Sequence, residues 1–97
     1  MSDKTIVVVK DFHPAPKGRY PSEGDFSGQR FRDEILAPAM NRNDHVHVVL
    51  DGYNRYGRSF IDEAFGGLVR ENGFTEQQLK TKLTYSHSLI KSLERLI

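Results

Sequence analysis

Residues 44–73 read DHVHVVLDGYNRYGRSFIDEAFGGLVRENG, and the change of period inside this stretch decides the fold. From Asp44 to Asp51 the chain alternates, with Val46, Val48 and Leu50 on one side and His45, His47 and Val49 on the other, the pattern of a strand with one buried face. Asp51 to Arg58 carries Gly52 and Gly57 and reads as a loop. From Ser59 the period becomes helical: at roughly 100° per residue, Phe60, Ile61, Ala64, Phe65, Leu68 and Val69 fall in one apolar sector that must lie on a sheet. Gly73 stops the helix.

Working outward, Thr5 to Phe12 is β-branched and bounded by polar residues, which predicts a first strand. Pro14, Pro16 and Gly18 break it, and Arg19-Tyr20 is expected to begin a short strand returning beside the first, ended by Pro21. Ser27 is the predicted N-cap of a helix running through Phe31, Ile35, Leu36 and Met40, with Pro38 weakening or ending it near its last turn. Thr75 to Leu79 reads as a short helical turn capped by Thr75, Lys82 to Ser86 as a brief strand, and Ser88 to Ile97 as a terminal helix with Leu89, Leu93 and Leu96 on one side. The expected architecture is α/β: a single domain over residues 1–97, with a small mixed sheet of about four strands, right-handed crossovers and helices mainly on one face.

A chain of 97 residues builds one core and has no room for a second site-bearing domain. The absence of cysteine excludes disulfides, thiolate nucleophiles and cysteine zinc sites, and fits a reducing compartment. No apolar run reaches the roughly 20 residues that span a bilayer, and the apolar part of MSDKTIVVVKD is too short for a signal peptide. The expectation is a cytoplasmic protein with no membrane partner. Fourteen basic against thirteen acidic side chains leave a formal charge of +1, so no global field draws nucleic acid or anionic lipid, and any such binding must be local.

On the helix starting at Ser59, the sector opposite the apolar one holds Asp62, Glu63, Gly66, Gly67 and Arg70. Each glycine costs about 1 kcal/mol against alanine in a helix interior. The pair therefore calls for compensation, either a partner surface pressed on a side-chain-free patch or another part of the chain packed there. Ser59 and Asp62 match a capping box, which is preferred to Ser59 as a phosphorylation site. No nearby histidine supplies a base for a nucleophilic serine.

Tyr53, Arg55, Tyr56 and Arg58 interleave aromatic and basic groups beside the helix start. That composition suits a protein-interaction hot spot, or alternatively stacking on bases and gripping phosphates of a nucleotide or nucleic acid. The near-neutral chain favours the protein partner. No Lys-Ser/Thr follows Gly57, so the loop is not a Walker A motif. His45 and His47 share a strand face, but a metal would need a third ligand such as Asp51 or His13, and an exposed polar face is the commoner reason for such a pair. Asp33-Glu34 and Asp62-Glu63 point about 100° apart on a helix, the wrong arrangement for acid–base catalysis. The expectation is no catalytic residue, no metal and no cofactor.

At IDEAFGGLV the chain resembles the STAS superfamily of anti-sigma-factor antagonists, through Ile61, Asp62, Gly67 and Leu68. It is closer still to the STAS-like group of uncharacterised bacterial and phage-associated domains, in Gly18-Arg19-Tyr20, Ser27-Gly28, Phe31-Arg32, Asp51-Gly52, Ser59-Phe60 and Glu63-Ala64-Phe65-Gly66. In the antagonists, the serine after the helix-opening aspartate is phosphorylated by a histidine-kinase-like (GHKL-type) ATPase. Here that position is Glu63, a permanent carboxylate, so the resemblance implies docking without the phospho-switch. It implies a non-enzymatic regulatory module, monomeric or weakly dimeric, that docks through Tyr53 to Arg70 onto such an ATPase or a related anti-sigma-type regulator.

Overall fold

The computed structural model describes residues 2–53 and 55–87; the terminal helix expected from Ser88 lies outside them. Three strands, β1 (Asp3–Val7), β2 (His45–Val49) and β3 (Leu83–Ser86), form a sheet in the order β1-β2-β3. Both pairings are parallel, with His47 between Thr5 and Thr84 in register and Val49 between Val7 and Ser86. The expected mixed sheet of about four strands is therefore, among the described residues, a parallel sheet of three.

Two local expectations fail for the same reason, a carboxylate that captures backbone N–H groups. β1 stops at Val7 rather than running to Phe12, because the Asp11 carboxylate accepts the Val7 N–H at 2.7 Å. Phe12 and His13 N–H then both donate to the Val8 carbonyl at 3.0 Å, closing the helical turn α1 (Val8–Asp11) and burying Val8. Arg19-Tyr20 forms no strand either. Both N–H groups donate to Glu23 Oε1 at 3.2 Å, the Arg19 carbonyl accepts from Gln29 N–H at 3.0 Å, and Pro21–Glu23 wind a 3-10 turn with proline leading.

Helix α2 (residues 28–42) consists of Gly28–Phe31, a π segment Arg32–Leu36, and Ala37–Arg42. Ser27 caps it as expected, accepting from Arg30 N–H at 3.3 Å. Pro38 does not end it. The π segment has already shifted the ladder, with Ala37 N–H donating to Arg32 O, so the proline sits in the first turn of a new segment, where a missing donor costs little. Helix α3 (residues 58–70) repeats the construction, with Arg58–Ile61, a π segment Asp62–Gly66, and Gly67–Arg70. Helix α4 (Glu76–Lys82) opens with a capping box between Thr75 and Gln78.

The core lies between the sheet and these helices. Ile6, Val46, Val48 and Leu83 meet Phe31, Leu36, Phe60, Phe65 and Leu68, all buried, and each such side chain stabilises the fold by about 1.5–3 kcal/mol. Val69, expected in this core, is exposed. The alternation of β2 is as read, with His45, His47 and Val49 half-buried on the far side. α2 and α3 touch at Gly28, where a Cβ would stand 2.6 Å from the Phe60 carbonyl oxygen; only glycine permits that approach. Among the described residues no helix is long and apolar enough to cross a membrane.

Candidate functional site

The site is the start and outer flank of α3, where the loops after β1 and β2 converge. The N-cap of α3 is Gly57, which has no side chain to make a cap bond, and the helix begins at Arg58. Ser59 is therefore one residue inside the helix, exposed and not a cap. Its expected box partner, Asp62, instead pairs with Arg19 at 2.7 Å and Arg70 at 3.2 Å. Ser59→Ala should accordingly change stability by less than about 0.5 kcal/mol, whereas Thr75→Ala, which removes a real cap, should cost about 1 kcal/mol. Urea titration of the two variants distinguishes them.

Glu63, placed by sequence on the docking face, is only 3% exposed, and so is Arg32. The Glu63 carboxylate pairs with the Arg32 guanidinium and with Arg19 Nη1 at 3.0 Å. Arg32 Nη1 also donates to the Glu63 carbonyl at 2.9 Å, and Arg32 Nε donates to Asp33 at 3.2 Å. This network ties α2, α3 and the segment before α2 together. Burial pushes the Glu63 pKa up, but the hydrogen bonds from Arg32 and Arg19 outweigh it, so the group lies below the usual carboxylate range. The hydrogen bond from Arg19 does the same for Asp62, and the bonds Arg19 donates to Asp62 and Glu63 raise its own pKa.

Of the two explanations for the α3 glycines, packing within the chain accounts for Gly67, which is buried. A Cβ there would overlap the Arg32 guanidinium. Gly66 is half-buried beneath the exposed end of Arg70, whose Nη1 would stand 2.7 Å from a Cβ. Tyr56 is 7% exposed, its ring edge-on to Tyr53 at 5.0 Å and near Phe60 at 5.8 Å. Its hydroxyl has no hydrogen-bond partner among the described residues, and burial raises its pKa above the ordinary 10.0. Glu63, Gly67 and Tyr56, expected on the docking surface, are thus interior. His87 is buried and donates from Nε2 to the Tyr53 carbonyl at 2.7 Å.

What remains at the surface is Arg55, Arg58 and Ser59, all exposed, with Tyr53 and Asp62 half-buried and Arg70 on the flank. A cleft of about 440 Å³ opens beside them, lined by Lys17, Glu23, Tyr53, Arg55, Gly57 and Ser59. Lys17 and Glu23 were invisible to sequence reasoning, because only the chain's path after β1 brings them to the helix start. Arg55, Arg58 and Lys17 enter no ion pair among the described residues. His45 and His47 do not converge on a metal cluster: no group of three or more candidate ligands occurs among the described residues. Instead His45 Nε2 and His47 Nδ1 lie 3.0 and 2.6 Å from Thr84 Oγ1, and His47 Nε2 lies 3.0 Å from Ser86 Oγ. His13 stacks on Phe26 at 3.9 Å. Asp62 and Glu63 converge on Arg19 and Arg70, which holds them as ion-pair partners.

Compared with known proteins, residues 27–88 match the family model described as a STAS-like domain of unknown function (DUF4325). No curated protein and no solved structure matches the chain. The matched span takes in α2, β2, the site loop, α3, α4 and β3, well over half of the chain, and the chain belongs to this family of STAS-like domains.

Proposed function

We propose that the protein is a non-enzymatic regulatory module that binds another protein through the start of α3, with Arg55 and Arg58 as its main contacts, Tyr53, Ser59 and Arg70 around them, and an acidic surface of a GHKL-type ATPase or related regulator as the partner. The observation that carries this reading is the placement of exposed cations, in no ion pair among the described residues, at the start of a helix whose flank is held by the Arg32–Glu63 and Arg19–Glu63 ion pairs. A backbone held in place beneath the exposed arginines lowers the ordering cost of binding, and arginine is among the residues that dominate interface energies. The partners Asp62 and Arg70 make within the chain leave them a lesser share.

The full-length double variant Arg55→Glu/Arg58→Glu should bind a GHKL-type ATPase at least about tenfold more weakly than wild type, a change of about 1.4 kcal/mol, with an unchanged circular dichroism spectrum. Calorimetric titration that finds equal affinity for a folded variant sinks the reading. A second reading is favoured by the cleft that places Lys17, Arg55 and Ser59 together: a nucleotide or single-stranded nucleic acid held there by its phosphates. Salt-dependent binding of ATP or an oligonucleotide, lost in the same variant and without ATPase binding, replaces the first reading with this one.

A further inference from the structure

The chain leaves α3 through Glu71, Asn72 and Gly73, all three exposed. An asparagine followed by glycine is chemically labile: the next residue's backbone nitrogen can close a five-membered ring on the side-chain amide, and glycine has no Cβ to obstruct the approach. Folding suppresses this reaction where that N–H is held in a hydrogen bond or the turn is crowded. Neither holds here. Glu71 N–H donates to the Gly67 carbonyl at 2.8 Å and Phe74 N–H to the Leu68 carbonyl at 3.1 Å, whereas Gly73 N–H donates to no backbone carbonyl among the described residues. A Cβ at Gly73 would meet no atom beyond its chain neighbours within 4 Å, so the ring has room to form. The other asparagines, Asn41, Asn43 and Asn54, precede Arg42, Asp44 and Arg55, whose Cβ atoms hinder the same approach. At Asn43 the reacting groups are also held, since its Nδ2 donates to the Ala39 carbonyl at 2.9 Å and Asp44 N–H to the Ser2 carbonyl at 2.9 Å.

We propose that Asn72 is a modification site at which the chain deamidates itself, loosening the exit from α3. Mildly alkaline solvent removes the Gly73 amide proton, and the nitrogen attacks Cγ of Asn72. The new N–Cγ bond forms, the Cγ–Nδ2 bond breaks, and Nδ2 leaves as ammonia after taking a proton from solvent. Water then opens the resulting succinimide. Cleavage of the new N–Cγ bond leaves an aspartate at position 72; cleavage at the backbone carbonyl leaves an isoaspartate, with the chain running through the former side chain. Both products carry a carboxylate where the chain had a neutral amide, which lowers its formal charge of +1 by one. The new charge lies just past the C-terminal end of α3, where the helix dipole disfavours it. Isoaspartate also adds a backbone atom before Phe74, a buried core residue, and so disturbs the bond from Phe74 N–H to the Leu68 carbonyl that closes the turn.

The test ages the full-length protein in warm, mildly alkaline buffer and digests it with trypsin. Cleavage after Arg70 and Lys80 releases residues 71–80, ENGFTEQQLK, in which Asn72 is the one asparagine. Mass spectrometry is expected to show NH2 replaced by OH at position 72, in two chromatographic peaks of equal mass. The rate should be at least about tenfold that at each other asparagine, a barrier lower by about 1.4 kcal/mol. An intact Asn72, or one that converts no faster than the others, overturns the proposal. In Asn72→Ser, which has no side-chain amide to attack, isoaspartate measured by enzymatic methylation should fall to background; undiminished isoaspartate places the reaction elsewhere and also overturns it. The aged isoaspartate fraction should melt about 4 °C or more below unaged protein, and an equal melting temperature overturns the loosening of the turn.

Discussion

Glu63→Ala is expected to destabilise the protein by about 3–5 kcal/mol, because it takes the buried carboxylate from the buried Arg32 guanidinium and leaves it only the half-exposed Asp33. For a domain whose total stability is of order 5–15 kcal/mol, that is about a fifth or more of the whole. The loss arises from the buried charge left poorly compensated rather than from the pair's net worth. The double variant Arg32→Met/Glu63→Leu, which removes both charges and fills the space, should recover most of it and fall near wild type. Urea denaturation at neutral pH measures both. A Glu63→Ala loss below about 1 kcal/mol would mean that solvent reaches the pair, as at a surface salt bridge.

The same carboxylates set the acid limit. The folded pKa values of Glu63 and Asp62 lie below their ordinary 4.5 and 3.8. Their contribution is therefore fully present above those ordinary values and is lost as pH falls through the folded ones. Stability should hold down to about pH 5 and drop below it. Asp62 is two-fifths exposed, so solvent screens much of its share and Glu63 carries the drop. In Glu63→Gln the acid limb should be visibly flatter, and an unchanged slope would assign the drop to other carboxylates.

Gly28→Val should be the second costly change, at about 3 kcal/mol. Its Cβ would approach the Phe60 carbonyl oxygen to 2.6 Å, with Glu63 Cβ at 3.1 Å and Ala64 N at 3.2 Å. Backbone atoms cannot swing aside, so α2 must part from α3, which breaks core packing and stretches the Arg32–Glu63 pair at once. Helix propensity, which favours most residues over glycine by at most about 1 kcal/mol, is too small to offset this. Gly66→Ala provides the contrast. There the obstruction is the end of the exposed Arg70 side chain, which can move, so the change should lie within about 0.5 kcal/mol of neutral or stabilise. Comparable losses at the two positions would contradict the packing described.

Local periodicity and local chemistry made the main elements legible. The alternation of residues 44–51, the apolar row Phe60, Ile61, Ala64, Phe65 and Leu68, and the caps Ser27 and Thr75 all depend on neighbours a few residues away, and all occur as read. The family likeness was read on these stretches and on Gly18-Arg19-Tyr20, and the family model matches residues 27–88. Where a carboxylate a few residues distant competed for the backbone, at Asp11 and Glu23, the strand signals around Val8 and Arg19 lost to it; β-branching is a weaker preference than a satisfied N–H.

The site was less legible, and α3 shows why. By itself the sequence determined that α3 exists, that it buries an apolar face, and that arginines and tyrosines precede it. Only the tertiary structure decided how wide that buried face is. α3 packs against α2 as well as the sheet, so its covered arc extends past the apolar row to take in Glu63 and Gly67, while Val69 is left outside. A helical wheel gives angles within one helix but not the direction from which a second helix arrives. That direction turned Glu63 from a surface charge into the buried partner of Arg32, and left Arg55 and Arg58 exposed at the helix start.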